Sequence, residues 1–154
     1  MVASSLTQKL NRALAMKAPV HATSVSVSGR GVLICGKSGS GKSSLAMEML
    51  ALGAILIADD QTILSQSNGA IELRCPFTID GLIEARGMGI LRCPSAGATP
   101  LSVIVDLERD EAERCPPERE IDLVGHSVPL LFNVPARQFP AALMIFLRHG
   151  RSLE

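Results

Sequence analysis

The sequence has no net charge of either sign: 15 Lys and Arg are matched by 15 Asp and Glu over 154 residues. Because those charges are scattered, the chain lacks the basic stripe that nucleic acid or a polybasic membrane contact requires, and neither is an expected partner. It also lacks any apolar run of the ~20 residues that cross a membrane. The N-terminal stretch, with Lys9, Arg12 and Lys17 among Ser, Leu and Ala, lacks the apolar block of a secretory signal, so a cytoplasmic location is expected. Cys35, Cys75, Cys93 and Cys115 form no C-x-x-C pair and adjoin an apolar run or a proline, which predicts packing thiols with neither zinc nor disulfides. The length is too small for two domains and predicts one, residues 1–154, with 1–18 as a helix that docks or frays.

What the chain does have is concentrated in Gly36-Lys37-Ser38-Gly39-Ser40-Gly41-Lys42-Ser43, which satisfies G-x-x-x-x-G-K-S at every required position. Gly31-Val32-Leu33-Ile34-Cys35 before it reads as a buried strand, and Leu45 to Leu50 after it reads as a helix. Strand, glycine loop and helix N-terminus together aim backbone N–H groups at one anion. The pattern predicts nucleotide binding, with Lys42, an exposed lysine, at the outer phosphates and the Ser43 hydroxyl on Mg²⁺.

Along the chain, Leu6, Leu10 and Leu14 give the first segment one apolar stripe. Val20 to Val27 and the P-loop strand predict a hairpin. A turn centred near Gly29 and Arg30 sets His21 across from Ser38 within about two residues, beside the phosphates. Ala54 to Ala58 runs into Asp59-Asp60, a Walker-B-like pattern on a strand expected to adjoin the P-loop strand. Alternation predicts that only one of these acids faces the nucleotide as catalytic base, the other pointing outward or holding neighbouring loops. Ile63 to Leu73 predicts a hairpin turning at Ser67-Asn68-Gly69. In Ile83 to Ile90, Glu84 and Arg86 share one face if extended, and Gly87 and Gly89 suggest close backbone approach to another element. Leu101 to Leu107 reads as a core strand, Glu108 to Arg119 as a solvated loop, and Ile121 to Val134 as edge or bent strands around Pro129 and Pro135. Phe139 to Gly150 reads as a helix with Pro140 in its first turn. Leu153-Glu154 carries no weight.

The P-loop with its strand, Leu56-Ile57-Ala58-Asp59-Asp60, and Ile83-Glu84-Ala85-Arg86-Gly87-Met88-Gly89-Ile90 together resemble the HPr kinase/phosphorylases in their catalytic domain. The resemblance spans Val20 to Arg148 and matches a short form without the N-terminal domain of longer members. It implies an α/β fold like the phosphoenolpyruvate-carboxykinase-like P-loop kinases, with a twisted mixed β-sheet and few helices. It implies ATP or pyrophosphate with Mg²⁺, transfer to a serine of HPr, and a homo-oligomer, a hexamer. By the same resemblance His21, Lys42 and Asp60 are catalytic, Asp60 being picked by its distance from Gly53. Ser43 and Glu84 are then the metal ligands, Arg86 positions or stabilises the transferring group, and Arg114 is a catalytic arginine of the later loop. Asp59→Asn is accordingly expected to be milder than Asp60→Asn. Pro135-Ala136-Arg137-Gln138 stands where the family has Pro-Gly-Arg-Asn, a segment tied to dephosphorylation, and Ser44 replaces a common glutamate. Those departures make the kinase direction the safer expectation. The alternatives are a small-molecule P-loop kinase, which needs its own lid and substrate pocket, and a non-catalytic nucleotide-binding module.

Overall fold

The structure, a computed structural model, describes residues 4–152, so Met1 to Ala3 of the expected N-terminal helix and Leu153-Glu154 lie outside the described residues. The leucine stripe does form a docked helix, α1 (Ser5–Met16). Ser4 caps it by accepting from the Thr7 amide at 3.2 Å, and Lys17 ends it in the left-handed region. Leu10 and Leu14 are buried, each leucine contributing roughly 1.5–3 kcal/mol on full burial.

Next come β1 (Pro19–Val20), β2 (Ala22–Val27) and β3 (Arg30–Cys35). The expected hairpin is β2–β3, but its two-residue turn is Ser28-Gly29, both at positive φ, so the register differs from the expectation. Val27 pairs with Arg30 and Ala22 with Cys35. One step further, His21 lies level with Gly36 rather than Ser38, in a bend that separates β1 from β2. The loop then enters α2 (Lys42–Ala51), and Gly53 at φ 109 turns the chain into β4 (Ile55–Ala58).

β4 does not adjoin β3; it pairs antiparallel with β2, which lies between them. Two antiparallel steps restore the direction, so β3 and β4 still end on the same side of the sheet. β5 (Thr62–Ser67) and β6 (Ala70–Arg74) form the hairpin expected at Asn68-Gly69. β7 (Leu82–Ala85) and β8 (Gly89–Arg92) form a small separate hairpin whose turn contains Arg86, Gly87 and Met88. Gly87 and Gly89 therefore serve turn geometry at φ 91 and 101; a Cβ at either would meet nothing within 4 Å, which corrects the expected close approach.

β9 (Thr99–Asp110) runs three residues beyond the expected strand, taking Glu108 to Asp110 out of the loop. β10 (Glu120–Leu123) is an edge, whereas β11 (His126–Asn133) lies between β10 and β9. Pro129 is tolerated there because it pairs with β10 alone; contact with β9 begins at Leu130. α3 (Phe139–His149) has Pro140 in its first turn and Gly150 past its end, as the sequence indicates. Among the described residues these strands make one mixed nine-stranded sheet, ordered β1-β5-β6-β9-β3-β2-β4 with β11 also on β9 and β10 on β11, beside the β7–β8 pair.

Side-chain alternation splits the core in two. Val32, Ile34, Val103 and Val105 face α2 and α3, whereas Leu33, Cys35 and Ile104 face the cluster that includes Leu10 and Leu14 of α1. Burial, reinforced by the Asp106 carboxylate, pushes the Cys35 thiol up to about 12, so it stays protonated and packs as a small apolar group.

The segment from Glu111 to Arg119 is anchored rather than freely solvated, since the Arg119 guanidinium grips both Glu111 carboxylate oxygens and lies 4.3 Å from the Phe132 ring centroid. The hydrogen bond from Arg119 holds Glu111 below its usual value. A depressed folded-state value means this pair adds stability above the ordinary glutamate range and loses it as pH falls through the folded value. Glu111→Gln should therefore lower the melting temperature at neutral pH, and the gap to wild type should close on acidification below pH ~4.

Candidate active site

β3 and β4 end on the same side of the sheet, around a cleft of about 440 Å³ lined by His21, Ser38, Gly39, Gly41, Lys42, Ser43, Ser44, Asp59, Asp60, Glu84 and Arg86. Among the described residues no apolar side chain lines it. Its floor is the P-loop, where Gly39 and Gly41 adopt φ 83 and 100, a backbone shape that glycine takes without strain. Gly36 is constrained differently: a Cβ there would lie 2.3 Å from Ser40 Oγ and 3.0 Å from Ser40 Cβ. Gly36→Ala should push Ser40 out of the loop, and nucleotide affinity should fall at least about tenfold in titration calorimetry while the fold persists.

Lys42 is buried, not exposed as expected, and its ammonium donates to the carbonyls of Gly36 at 2.9 Å and Lys37 at 3.1 Å. It closes the loop on itself while its charge stays at the cleft.

The two acids do not divide by strand alternation. β4 stops at Ala58, and Asp60 sits beyond it at φ 67, so both carboxylates reach the cleft. Asp59 is the buried one. Its Oδ1 accepts from Ser43 Oγ at 2.6 Å and Thr23 Oγ1 at 3.1 Å, and its Oδ2 accepts from the Glu84 amide at 3.1 Å. It thus joins the P-loop helix, β2 and β7 at one point. Asp60 is exposed, and its Oδ1 contacts His21 Nε2.

Thr23 has no mark in the sequence pattern. Its hydroxyl donates to Asp59 and accepts from the Asp60 amide at 3.1 Å, so one buried side chain fixes both acids. The only signal for it is a threonine on a strand beside the acid-ended one, readable once the β2–β4 pairing is known.

Ser43, Asp59 and Glu84 present a hydroxyl and two carboxylates to the same cleft. Among the described residues no group of three or more His, Cys, Asp or Glu forms an all-protein cage. A hydroxyl with one or two carboxylates suits Mg²⁺, which takes its remaining ligands from phosphate and water. Arg86 lines the cleft from the β7–β8 turn. Arg114 does not; it is exposed on the segment between β9 and β10. Arg137 lines a second cavity on the other side of the P-loop.

A glycine loop between strand and helix, with an acid-ended strand running in the same direction, defines a P-loop fold of the kinase type. The family model described as HPr Serine kinase C-terminal domain matches residues 12–114, and the chain belongs to that family. It is 32% identical over 158 residues to the HPr kinase/phosphorylase of Clostridium novyi, covering 99% of this chain and 50% of the relative. It is 46% identical over 83 residues to that of Bordetella pertussis, covering 53% of this chain and 27% of the relative. The chain spans about half the length of the first curated relatives it matches end to end. The structure of the Hpr(Ser) kinase/phosphatase from Coxiella burnetii superposes with a TM-score of 0.73 at 25% identity, over 88% of this chain and 91% of that one. The mixed, curled sheet with few helices is thus the fold of that family. No helix among the described residues is long and apolar enough to cross a membrane.

Proposed function

We propose that the chain is a single catalytic domain of a cytoplasmic, ATP-dependent protein-serine kinase acting on the phosphocarrier HPr. The observation that carries this reading is the meeting of the His21–Asp60 pair, the Ser43–Asp59 pair and the P-loop at one polar cleft. Membership of the HPr Serine kinase C-terminal domain family and relatives named HPr kinase/phosphorylase support the choice of substrate.

The P-loop amides and Lys42 hold the phosphates and meet the charge that develops on them. Ser43 and Glu84, with Asp59, would hold Mg²⁺, which when bound would further neutralise that charge. His21 engages Asp60 Oδ1, which leaves Oδ2 to take the proton of the incoming serine hydroxyl. Arg86 stabilises the transferring group from the cleft wall. Arg114 stands outside the cleft. The kinase direction is favoured because Ala136 and Gln138 alter the segment that the family resemblance ties to the reverse reaction.

On the same reading the chain works as a homo-oligomer, the hexamer that the sequence resemblance implies. Light scattering at micromolar concentration should give the mass of an assembly, and a monomer would contradict this. The function itself is tested by phosphopeptide mapping of HPr after incubation with the chain, ATP and Mg²⁺. One phosphoserine is expected, and phosphate elsewhere or nowhere would overturn the reading.

A further inference from the structure

The phosphate cleft offers a nucleotide only polar and charged contacts, so it has no wall for a purine. Across the P-loop lies a second cavity of about 320 Å³, at the low end of the ~300–1,000 Å³ common for ligand pockets. Gly41 and Ser44 line both, so a phosphate chain lying over the N-terminus of α2 leads from one into the other. Ser44 lies at the junction of the two. We infer that this second cavity, between the first turns of α2 and the chain leaving β11, is the nucleoside subsite.

Its walls are of the right kinds. Leu45 and Val134 give apolar surface for a flat base, the Glu48 carboxylate on the next turn of α2 can accept from an exocyclic amine or ribose hydroxyls, and Arg137 brings a guanidinium to its rim. A further cavity of comparable size, at Pro116, Pro117 and Phe146, shares no lining residue with the phosphate cleft and cannot continue a nucleotide bound there. The polar end of the ligand is then set by His21 and Asp60, and its base end by the segment after β11. This gives the Pro135 to Gln138 segment a role in selecting a nucleoside triphosphate over a base-free polyphosphate.

The inference rests on the P-loop reading, and the test separates the two. Titration calorimetry at constant Mg²⁺ compares ATP with inorganic tripolyphosphate, the base-free probe, for the wild type and for Ala136→Phe, which fills the cavity from its half-exposed wall. Wild type should bind ATP more tightly than tripolyphosphate, and Ala136→Phe should lose at least about tenfold in ATP affinity while tripolyphosphate changes less than about twofold. Equal losses for both ligands, or no loss for ATP, would overturn the subsite and leave the P-loop reading standing. Wild type binding neither ligand would overturn both. Should the phenylalanine disturb folding, Ala136→Cys supplies a second readout. Alkylation of the introduced thiol, followed by peptide mapping, should be slowed by ATP and not by saturating tripolyphosphate; protection by both or by neither contradicts the assignment.

Discussion

Asp60→Asn should slow single-turnover phosphoryl transfer to HPr by about 10²- to 10⁴-fold, the usual cost of losing a general base, while nucleotide affinity changes little. The amide keeps the shape of the side chain and removes the proton acceptor. Binding should survive because, on the proposed reading, Lys42 and the loop amides hold the phosphates, and the Lys42 ammonium is tied to Gly36 and Lys37 rather than to Asp60. Asp59→Asn acts through a different route and is not the mild change that alternation along β4 implied. Its two oxygens accept from Ser43, Thr23 and the Glu84 amide, so an amide group must either set its own N–H against the Glu84 N–H or turn the Ser43 and Thr23 hydroxyls from donors into acceptors. Either way hydrogen bonds that the buried carboxylate accepts are lost or reversed, at a cost of about 1–3 kcal/mol. Asp59→Asn should therefore lower thermal stability and Mg²⁺-dependent nucleotide affinity together, whereas Asp60→Asn leaves both near wild type. Stability and affinity curves for the two variants tell them apart, and reversed behaviour would exchange the roles given to the two acids.

Lys42→Ala should abolish measurable transfer, with a loss on the order of 10²- to 10³-fold or more from removing one transition-state donor. The effect has a second part, because the ammonium also ties the carbonyls of Gly36 and Lys37. Without it the loop opens, so ATP affinity should fall along with the rate. Lys42→Met keeps the stem packed in its buried site and separates lost charge from lost packing. If both variants turn over at the wild-type rate while folded, the P-loop is not the phosphate site.

Much of this site is legible in the amino-acid sequence because its parts are local. A glycine loop after an apolar run, an acid pair ending another, and an Asn-Gly between β-rich stretches each carry their geometry within a few residues. The helix α3 is equally local, bounded by Pro140 and Gly150. What is not legible depends on partners distant in the chain. One glycine in Ser28-Gly29-Arg30 cannot say whether it fills the first or second turn position, and that ambiguity moves His21 from opposite Ser38 to opposite Gly36. The insertion of β2 between β3 and β4 follows from sheet order, which no local pattern encodes. Asp60 lies past the end of its strand at a positive φ, so the two-residue alternation that would separate it from Asp59 does not apply. Burial of Lys42 likewise follows from how the loop folds over its own helix, although the lysine itself is marked by the motif.

The central claim is that this cleft moves phosphate from a nucleotide to a protein serine. The most direct measurement follows labelled γ-phosphate from ATP, with Mg²⁺ and the wild-type chain, in the presence of HPr, of an HPr lacking its target serine, and of no acceptor. Label should accumulate on HPr alone. Either of two results would contradict a protein-serine kinase: label released equally in all three would leave a nucleotide hydrolase, and none released while nucleotide is bound would leave a nucleotide-binding domain.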